Sequence, residues 1–235
     1  MRVAVTRPEE DAGPLTARLE AMGHEVVMAP LLTIRPRADV SIPDLPWHAI
    51  AVTSANGIRA LPKGHDLTSF RTLTVGPQSL KAARAAGFAA DAHGGDVNGL
   101  AAFIRAELDP GAGPILYLSG AETAGDLAAL LTASGFDCRR VVLYDAAPAE
   151  TLGEIAGALD TGALDAVLLY SPRSAKIWRG LVEAAGLAPQ AAKLRNLCLS
   201  RNVAAALPDG WNTAVSASPD EAAILELLEQ SGRTL

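Results

Sequence analysis

A strand–turn–helix pattern that occurs in both halves of the chain constrains the fold more than any other feature. In the first half, the apolar run Ala49–Val52 leads into a polar turn, Thr53 to Gly57, and then into a helical segment from Ile58. In the second half, Ala166–Leu169 leads into Tyr170-Ser171-Pro172 and a further helical segment. An apolar run followed by a capping residue is typical of a buried strand that enters a helix. Strands that alternate with helices in this way predict parallel sheets.

Other turns of the same kind occur at a nearly constant spacing in the two halves. The corresponding positions are Thr6 and Ser119, Ser54 and Ser171, Gly76 and Ser200, and Asp96 and Ser218. The offsets lie between 113 and 124 residues, so one half of the chain corresponds to the other with small insertions. The sequence therefore predicts two parallel-sheet α/β domains related by an internal repeat. Ligands of such sheets bind beyond the carboxyl ends of the strands, where these turns lie.

Composition and charge exclude several classes of protein. The chain has 235 residues, 49% of them hydrophobic and 20% charged, which is typical of a globular protein. A net charge of -6 argues against nucleic acid as a partner, which requires a basic surface. No segment approaches the roughly 18 apolar residues of a membrane span, and the N-terminus lacks the pattern of a signal peptide. We therefore expect a cytoplasmic protein without a membrane partner. Two small domains with no evident apolar patch predict a monomer.

The residues that commonly carry catalysis form no recognisable set. Cys138 and Cys198 are far apart in apolar surroundings, which predicts two reduced thiols, and the four histidines lack metal-ligand spacing. We therefore expect no metal site. The sequence contains no G-x-G-x-x-G after a strand, no Walker loop, no nucleophile elbow and no evident carboxylate pair. Any catalysis is expected to depend on binding and on control of substrate conformation.

The repeated turns have a chemistry of their own, because helix N-termini bind anions. Each end offers unpaired N–H groups and about half a positive charge, worth about 0.3–1 kcal/mol when exposed. Eight such ends could together hold a ligand with many carboxylates or phosphates. For any single turn, a role as a helix cap alone remains the alternative. Arg7, Arg173 and Arg201 lie in these turns, either as solvated charges or as carboxylate partners.

Tyr144 comes at the end of a predicted strand, just before the connection at Pro148. A tyrosine in such a place either packs half-buried or presents its hydroxyl to a ligand. In the second case it could assist the departure of a leaving group.

Taken together, these segments resemble the uroporphyrinogen-III synthase family. The resemblance rests on Val5-Thr6-Arg7-Pro8, Val52-Thr53-Ser54-Ala55-Asn56-Gly57-Ile58, Val75-Gly76-Pro77-Gln78-Ser79, Leu118-Ser119-Gly120, Val142-Leu143-Tyr144, Leu169-Tyr170-Ser171-Pro172 and Ser218-Pro219. It covers nearly the whole chain, and the order and spacing of the segments make it specific. It implies two α/β domains joined by a two-stranded linker, with the active site in the cleft between them. The first domain would be discontinuous, residues 1–36 plus 149–235, and the second would be residues 37–148.

The resemblance also implies a reaction. The family converts hydroxymethylbilane, a linear tetrapyrrole with eight carboxylates, into uroporphyrinogen III for haem biosynthesis. The hydroxyl is lost as water, ring D is inverted through a spiro intermediate, and no cofactor is needed. By resemblance, Tyr144 is the residue that aids departure of the hydroxyl. The expected substrate-binding residues are Arg7, Thr53, Ser54, Ala55, Asn56, Gly76, Ser79, Ser119, Gly120, Ser171, Pro172, Arg173 and Arg201.

One segment departs from the family pattern. After the strand that ends at Leu199, the family usually has Gly-x-x-Thr-Ala, whereas this chain has Ser200-Arg201-Asn202-Val203-Ala204. Either Arg201 compensates as a carboxylate partner, or the turn has drifted and activity is reduced. Two alternatives to the enzyme therefore stay open. One is a homologue that binds a tetrapyrrole without turnover, and the other is a sugar-phosphate binder or isomerase, against which the lack of a catalytic His or Glu in the turns counts.

Overall fold

The computed structural model describes residues 1–218 and 220–230, and divides into two compact units. Unit 1 comprises Met1–Thr33 and Ala147–Leu235, and unit 2 comprises Ile34–Ala146. The boundaries predicted from the sequence, after residues 36 and 148, fall three and two residues further along the chain. Pro219, which belongs to the family pattern, lies outside the described residues.

The described residues form eleven strands and ten α-helices. The strands are β1 (Arg2–Val5), β2 (Glu25–Met28), β3 (Leu32–Pro36), β4 (Ala49–Val52), β5 (Thr72–Thr74), β6 (Ala90–Ala92), β7 (Ile115–Gly120), β8 (Cys138–Pro148), β9 (Ala166–Leu169), β10 (Arg195–Cys198) and β11 (Thr213–Val215). The helices are α1 (Glu9–Ala21), α2 (Ala55–Arg59), α3 (Pro77–Ala85), α4 (Val97–Glu107), α5 (Leu127–Thr132), α6 (Ile155–Asp160), α7 (Pro172–Ala184), α8 (Ala188–Lys193), α9 (Arg201–Ala204) and α10 (Glu221–Gln230). A 3₁₀ turn covers Pro110–Ala112. No helix in this part of the chain has the length and apolar character needed to cross a membrane.

Unit 1 is built on a five-stranded sheet with the order β11-β10-β9-β1-β2, in which every pair is parallel. The central strands β1 and β9 are almost wholly apolar and buried, as both faces of the sheet are covered. One face packs around Trp178, whose indole N–H donates to Asn196 Oδ1 at 3.0 Å. The other face packs on Leu15 and Leu19 of α1 and on Ile224 of α10.

Unit 2 is built on a six-stranded sheet with the order β3-β8-β7-β4-β5-β6. The pairs from β8 to β6 are parallel. The edge strand β3 runs antiparallel to β8, because Arg37 N donates to Leu143 O and Ala149 N donates to Leu31 O. The boundary between the units passes through both strands, so β3 and β8 form the predicted two-stranded linker.

The two sheets share one topology, which confirms the predicted internal repeat. Read from one edge, the order β2-β1-β9-β10-β11 of unit 1 corresponds to β8-β7-β4-β5-β6 of unit 2. Thr6 and Ser119 therefore fall at the ends of corresponding strands, as do the other paired turns. The fold class expected from the sequence, an α/β protein with two mainly parallel sheets, is confirmed.

Some local predictions were wrong in detail. The sequence predicted a helical segment from Ile58, but α2 already begins at Ala55, because Ser54 is its N-cap residue and its side chain accepts a hydrogen bond from Asn56 N. The sequence also placed Tyr144 at the end of a strand, whereas β8 continues to Pro148. The short helices α6 and α8 were not predicted.

Candidate active site

A cavity of about 410 Å³ lies in unit 2, at the carboxyl ends of its parallel strands. Its lining comes from the segments that follow β4, β5, β6 and β7 and from β8. The lining residues are Thr53, Ser54, Val75, Gly95, Asp96, Val97, Asn98, Gly120, Glu122, Thr123, Ala124, Gly125 and Tyr144. The structure thus brings together Tyr144, Thr53, Ser54 and Gly120 of the expected site residues. Ala55, Asn56, Gly76, Ser79 and Ser119 belong to the same unit but do not line this cavity.

Tyr144 reaches the cavity through an irregularity in its strand. Ser119 of β7 lies opposite Val142 of β8, but the next residue, Gly120, lies opposite Tyr144, so that Leu143 is an extra residue. Such a β-bulge bends a strand and re-aims the side chains around it. Leu143 and Tyr144 accordingly pack in the same core cluster although they are consecutive. Tyr144 is only 7% exposed, so its side chain is held by the surrounding core, and the residue also forms part of the cavity wall.

Thr53 is fixed by a buried tyrosine behind the cavity. Its Oγ1 lies 3.0 Å from the hydroxyl of Tyr117, with which it is hydrogen-bonded. Burial raises the pKa of Tyr117, and the hydrogen bond with Thr53 opposes that rise. Tyr117 is therefore a neutral hydroxyl at physiological pH, and it holds the Thr53 side chain at the cavity edge.

Ser54 and the residues after it form the first turn of α2. Ser54 Oγ accepts a hydrogen bond from Asn56 N at 3.3 Å, and Asn56 Oδ1 accepts one from Arg59 Nη1 at 2.8 Å. Asn56 and Ala55 are buried in this turn. A Cβ added at Gly57 would lie 3.1 Å from Leu118 O, so this glycine lets α2 approach β7 closely. These contacts are structural, and only Ser54 of the turn reaches the cavity.

Gly76 and Ser79 belong to α3. Gly76 is its N-cap residue, and Ser79 is buried in its first turn. Neither residue lines the cavity, although Val75, which immediately precedes Gly76, does.

Sequence reasoning left out the segment after β6, which supplies one side of the cavity. Gly94 and Gly95 have φ values of 79° and 69°, and a Cβ on Gly94 would lie 2.2 Å from the backbone of Gly99. Only glycine permits this tight turn. Asp96 follows as the N-cap of α4, with Oδ1 accepting from Gly99 N at 2.8 Å. The signal was present, because Asp96 is one of the repeated turns.

Ser119 does not line the cavity. It is 1% exposed, and its Oγ accepts a hydrogen bond from Arg140 Nε at 2.8 Å. This geometry gives no support to the expectation that Ser119 binds substrate, which stays a prediction from the sequence.

In unit 1, Arg7 lies at the end of β1 and is engaged by the protein itself. Its Nη1 donates to Glu221 Oε2 at 2.8 Å, and its guanidinium lies 3.8 Å from the centre of the Tyr170 ring. Arg18 Nη1 donates to the other oxygen of Glu221 at 3.0 Å. Burial raises the pKa of Tyr170. A substrate carboxylate that binds Arg7 would therefore compete with Glu221.

The turn at Ser171 is a well-formed cap of α7. Ser171 Oγ accepts a hydrogen bond from Ser174 N at 3.0 Å, and Pro172 occupies the first helical position. Arg173, the second helical residue, is half-buried. At the variant turn, Ser200 is the N-cap residue of α9 without a side-chain capping bond, and Arg201 is exposed.

The two cysteines are free thiols, Cys138 in unit 2 and Cys198 in unit 1. Burial raises the pKa of each to about 12, so both are protonated near neutral pH and are poor nucleophiles. Among residues 1–218 and 220–230, no group of three or more His, Cys, Asp or Glu side chains has an arrangement that could hold a metal ion.

Comparison with known proteins points to one family. A family model described as uroporphyrinogen-III synthase HemD matches residues 13–226. A protein of Chlorobaculum parvum named uroporphyrinogen-III synthase is 28% identical over 194 residues, which cover 74% of this chain and 76% of that protein.

Solved structures show the same fold. The uroporphyrinogen-III synthetase of Helicobacter pylori superposes with a TM-score of 0.69 at 16% identity, covering 98% of this chain and 100% of that one. A mutant uroporphyrinogen III synthase of Thermus thermophilus gives a TM-score of 0.59 at 18% identity, covering 100% of both chains. With the family model matched from residue 13 to residue 226, the chain belongs to the uroporphyrinogen-III synthase family.

Proposed function

We propose that this chain converts hydroxymethylbilane into uroporphyrinogen III, with loss of water and inversion of ring D. The observation that carries the proposal is the cavity of unit 2, which has Tyr144 in its wall at the carboxyl ends of the strands. This is the position at which parallel α/β sheets bind ligands. Membership of the family gives that cavity its substrate class, a linear tetrapyrrole polycarboxylate.

Tyr144 assists the chemical step. The hydroxyl of the substrate leaves with one added proton as water, and a phenol that donates a hydrogen bond to that oxygen makes its departure easier. Every atom of the macrocycle comes from the substrate, and the reaction involves no net oxidation. The protein therefore contributes one hydrogen-bond donor and a restrained substrate conformation.

The substrate carboxylates are held mainly by backbone N–H groups and hydroxyls. Thr53, Ser54 and Thr123 supply hydroxyls around the cavity, and the N-terminus of α4 opens beside them. In unit 1, the N-terminus of α7 at Ser171, Pro172 and Arg173 offers donors of the same kind. Holding the chain folded prevents direct closure to the symmetrical isomer, and this restraint is the main source of product specificity.

A homologue that binds tetrapyrrole without turnover is the second candidate. It is favoured by one observation: Ser200, which stands where the family usually has glycine, is the N-cap residue of α9 but makes no side-chain capping bond. For the active enzyme, we propose that the exposed Arg201 binds one substrate carboxylate. It would replace the backbone contact that the family's glycine allows and that Ser200 does not. We also propose that the protein is monomeric and cytoplasmic.

Incubation of the purified chain with hydroxymethylbilane, followed by separation of the oxidised products, tests the proposal. We expect uroporphyrinogen III to form much faster than the spontaneous isomer I. Isomer I alone, at the rate seen without protein, contradicts the enzyme. If the substrate also binds in an equilibrium assay under that outcome, the non-catalytic homologue is the correct description.

A further inference from the structure

We infer that Gly120 and Arg140 are positioning residues for Tyr144: Gly120 leaves the space that the phenol ring occupies, and Arg140 fixes the backbone of Gly120. This inference rests on the proposed role of Tyr144 in the reaction. Gly120 was expected from the sequence to contact the substrate, whereas here its lack of a side chain makes room for Tyr144. Arg140 was not among the residues that the sequence predicted for the site.

The ring of Tyr144 lies directly over the backbone of Gly120. A Cβ added to Gly120 would be 2.6 Å from Cζ of Tyr144, 2.7 Å from its Cε2 and 3.0 Å from its hydroxyl oxygen. Ordinary contact at a Cβ begins near 3.4 Å. A side chain at position 120 therefore cannot coexist with the observed ring position. The crowded atoms are the far end of a side chain, so the ring can retreat while the fold is kept.

Arg140 fixes the end of β7 from the neighbouring strand. Its Nη2 donates to Gly120 O and to Ala121 O, both at 2.7 Å, and its Nε donates to Ser119 Oγ at 2.8 Å. One guanidinium thus bonds to three consecutive residues where the bulge has interrupted the regular ladder. Ala121 N in turn donates to Tyr144 O at 2.9 Å, which closes the segment against β8.

This arrangement places the phenol by geometry. The bulge at Leu143 sets the direction of the Tyr144 side chain. The lack of a Cβ at Gly120 leaves space for the ring, and the hydrogen bonds from Arg140 fix the backbone at Gly120 and Ala121 against which the ring packs. A planar guanidinium provides such a fork, whereas a lysine ammonium is a point charge on a flexible stem. A displacement of about 1 Å at a reacting group can cost about 100-fold in rate.

The test uses Gly120→Ala, Arg140→Met and Arg140→Lys, each made in the natural chain and in a Tyr144→Phe background. In the natural chain, we expect Gly120→Ala to lower kcat by about 10- to 100-fold with little change in KM. In the Tyr144→Phe background the same substitution should have almost no further effect, since the hydroxyl it displaces is gone. Arg140→Lys should not rescue the loss caused by Arg140→Met.

Position is measured independently of activity by ¹⁹F NMR of the protein labelled with 3-fluorotyrosine. The chain has three tyrosines, so the signal of Tyr144 is assigned by its loss in Tyr144→Phe. Gly120→Ala and Arg140→Met should shift that signal. Two controls should not: Gly180→Ala, where an added Cβ meets nothing within 4 Å, and Arg139→Met, which removes an exposed ion pair with Asp137.

An unmoved Tyr144 signal in both variants overturns the inference, and so does an equal loss of kcat in the two backgrounds. If Tyr144→Phe itself retains full turnover, the catalytic role of Tyr144 fails. In that case a shifted signal still shows that Gly120 and Arg140 position the ring, so the two failures are distinguishable. Formation of isomer III by the natural chain reports separately on the proposed function.

Discussion

Asp96 combines two effects that a single substitution can separate. Its carboxylate caps α4, and Asp96 is among the residues that line the cavity in which we propose that substrate carboxylates bind. Asparagine caps a helix about as well as aspartate, so the cap can be kept while the negative charge is removed. Asp126 offers a matched comparison, because it caps α5 in the same unit without lining the cavity.

We predict that Asp96→Asn lowers KM for hydroxymethylbilane a few-fold and leaves the midpoint of urea unfolding nearly unchanged. Asp126→Asn should change neither quantity. Steady-state kinetics and urea titration of both variants provide the measurement. Equal KM values for the two variants would show that substrate carboxylates bind elsewhere than in this cavity.

At the scale of elements, the turns at the strand ends serve as helix caps first. Ser171 caps the thirteen-residue helix α7, and its contact with Ser174 N accounts for its presence without any ligand. To test whether the same helix end also binds a carboxylate, a variant must keep the cap. Ser171→Asp does so, because aspartate is an equally good cap but repels an anion at the helix end.

We predict that Ser171→Asp retains the unfolding free energy of the natural chain and raises KM by about 2- to 5-fold, which corresponds to about 0.3–1 kcal/mol of charge interaction at an exposed helix end. Ser171→Ala should show the opposite pattern, losing about 1 kcal/mol of stability with the cap. The two variants are compared by chemical denaturation and steady-state kinetics. An unchanged KM in Ser171→Asp would leave the turn with a capping role alone.

Elements whose signal is local could be predicted from the sequence. Buried strands such as β4 and β9 follow from short apolar runs, and the start of α7 follows from Ser171 and Pro172. The bulge at Leu143 could not be predicted, because it arises from the pairing of β8 with β7 and no residue of β8 signals it in the sequence. The position of Tyr144 was therefore predictable only by resemblance, and the roles of Gly120 and Arg140 required the paired strands.

The organisation of the whole molecule follows from two features: the internal repeat, and the strands β3 and β8 through which the chain passes between the units. The constant offsets between turns predicted two sheets of one topology, since each half supplies the same order of elements. The chain passes between the units through β3 and β8, which are also joined by side chains. Arg37 donates two hydrogen bonds to Asp145, from Nε at 2.8 Å and from Nη2 at 2.7 Å.

This ion pair makes stability depend on pH in the acid range. The bonds from Arg37 hold the pKa of the Asp145 carboxyl below its usual value. The folded state therefore favours the ionised carboxylate, and the stabilisation is present above the unfolded pKa of about 4. It is lost as the pH falls through the lower folded value, where the carboxyl is protonated in both states.

We predict that Asp145→Asn lowers the urea midpoint slightly at pH 7, as expected for an exposed pair, and that the difference from the natural chain vanishes well below about pH 4. Urea titrations at several pH values measure it. Asp209→Asn, which removes an exposed carboxylate from a turn of unit 1, is the control. A difference that persists unchanged at low pH would contradict the role of the ionised pair.

The proposed role of Tyr144 in the chemical step, in the cavity of unit 2, can be examined with the variant Tyr144→Phe. Single-turnover kinetics with hydroxymethylbilane give the rate of the step, and equilibrium binding gives the affinity. We predict that the rate falls about 100-fold or more while affinity changes by less than about threefold, since only one hydrogen-bond donor to the leaving hydroxyl is removed. An unchanged rate of uroporphyrinogen III formation would contradict it.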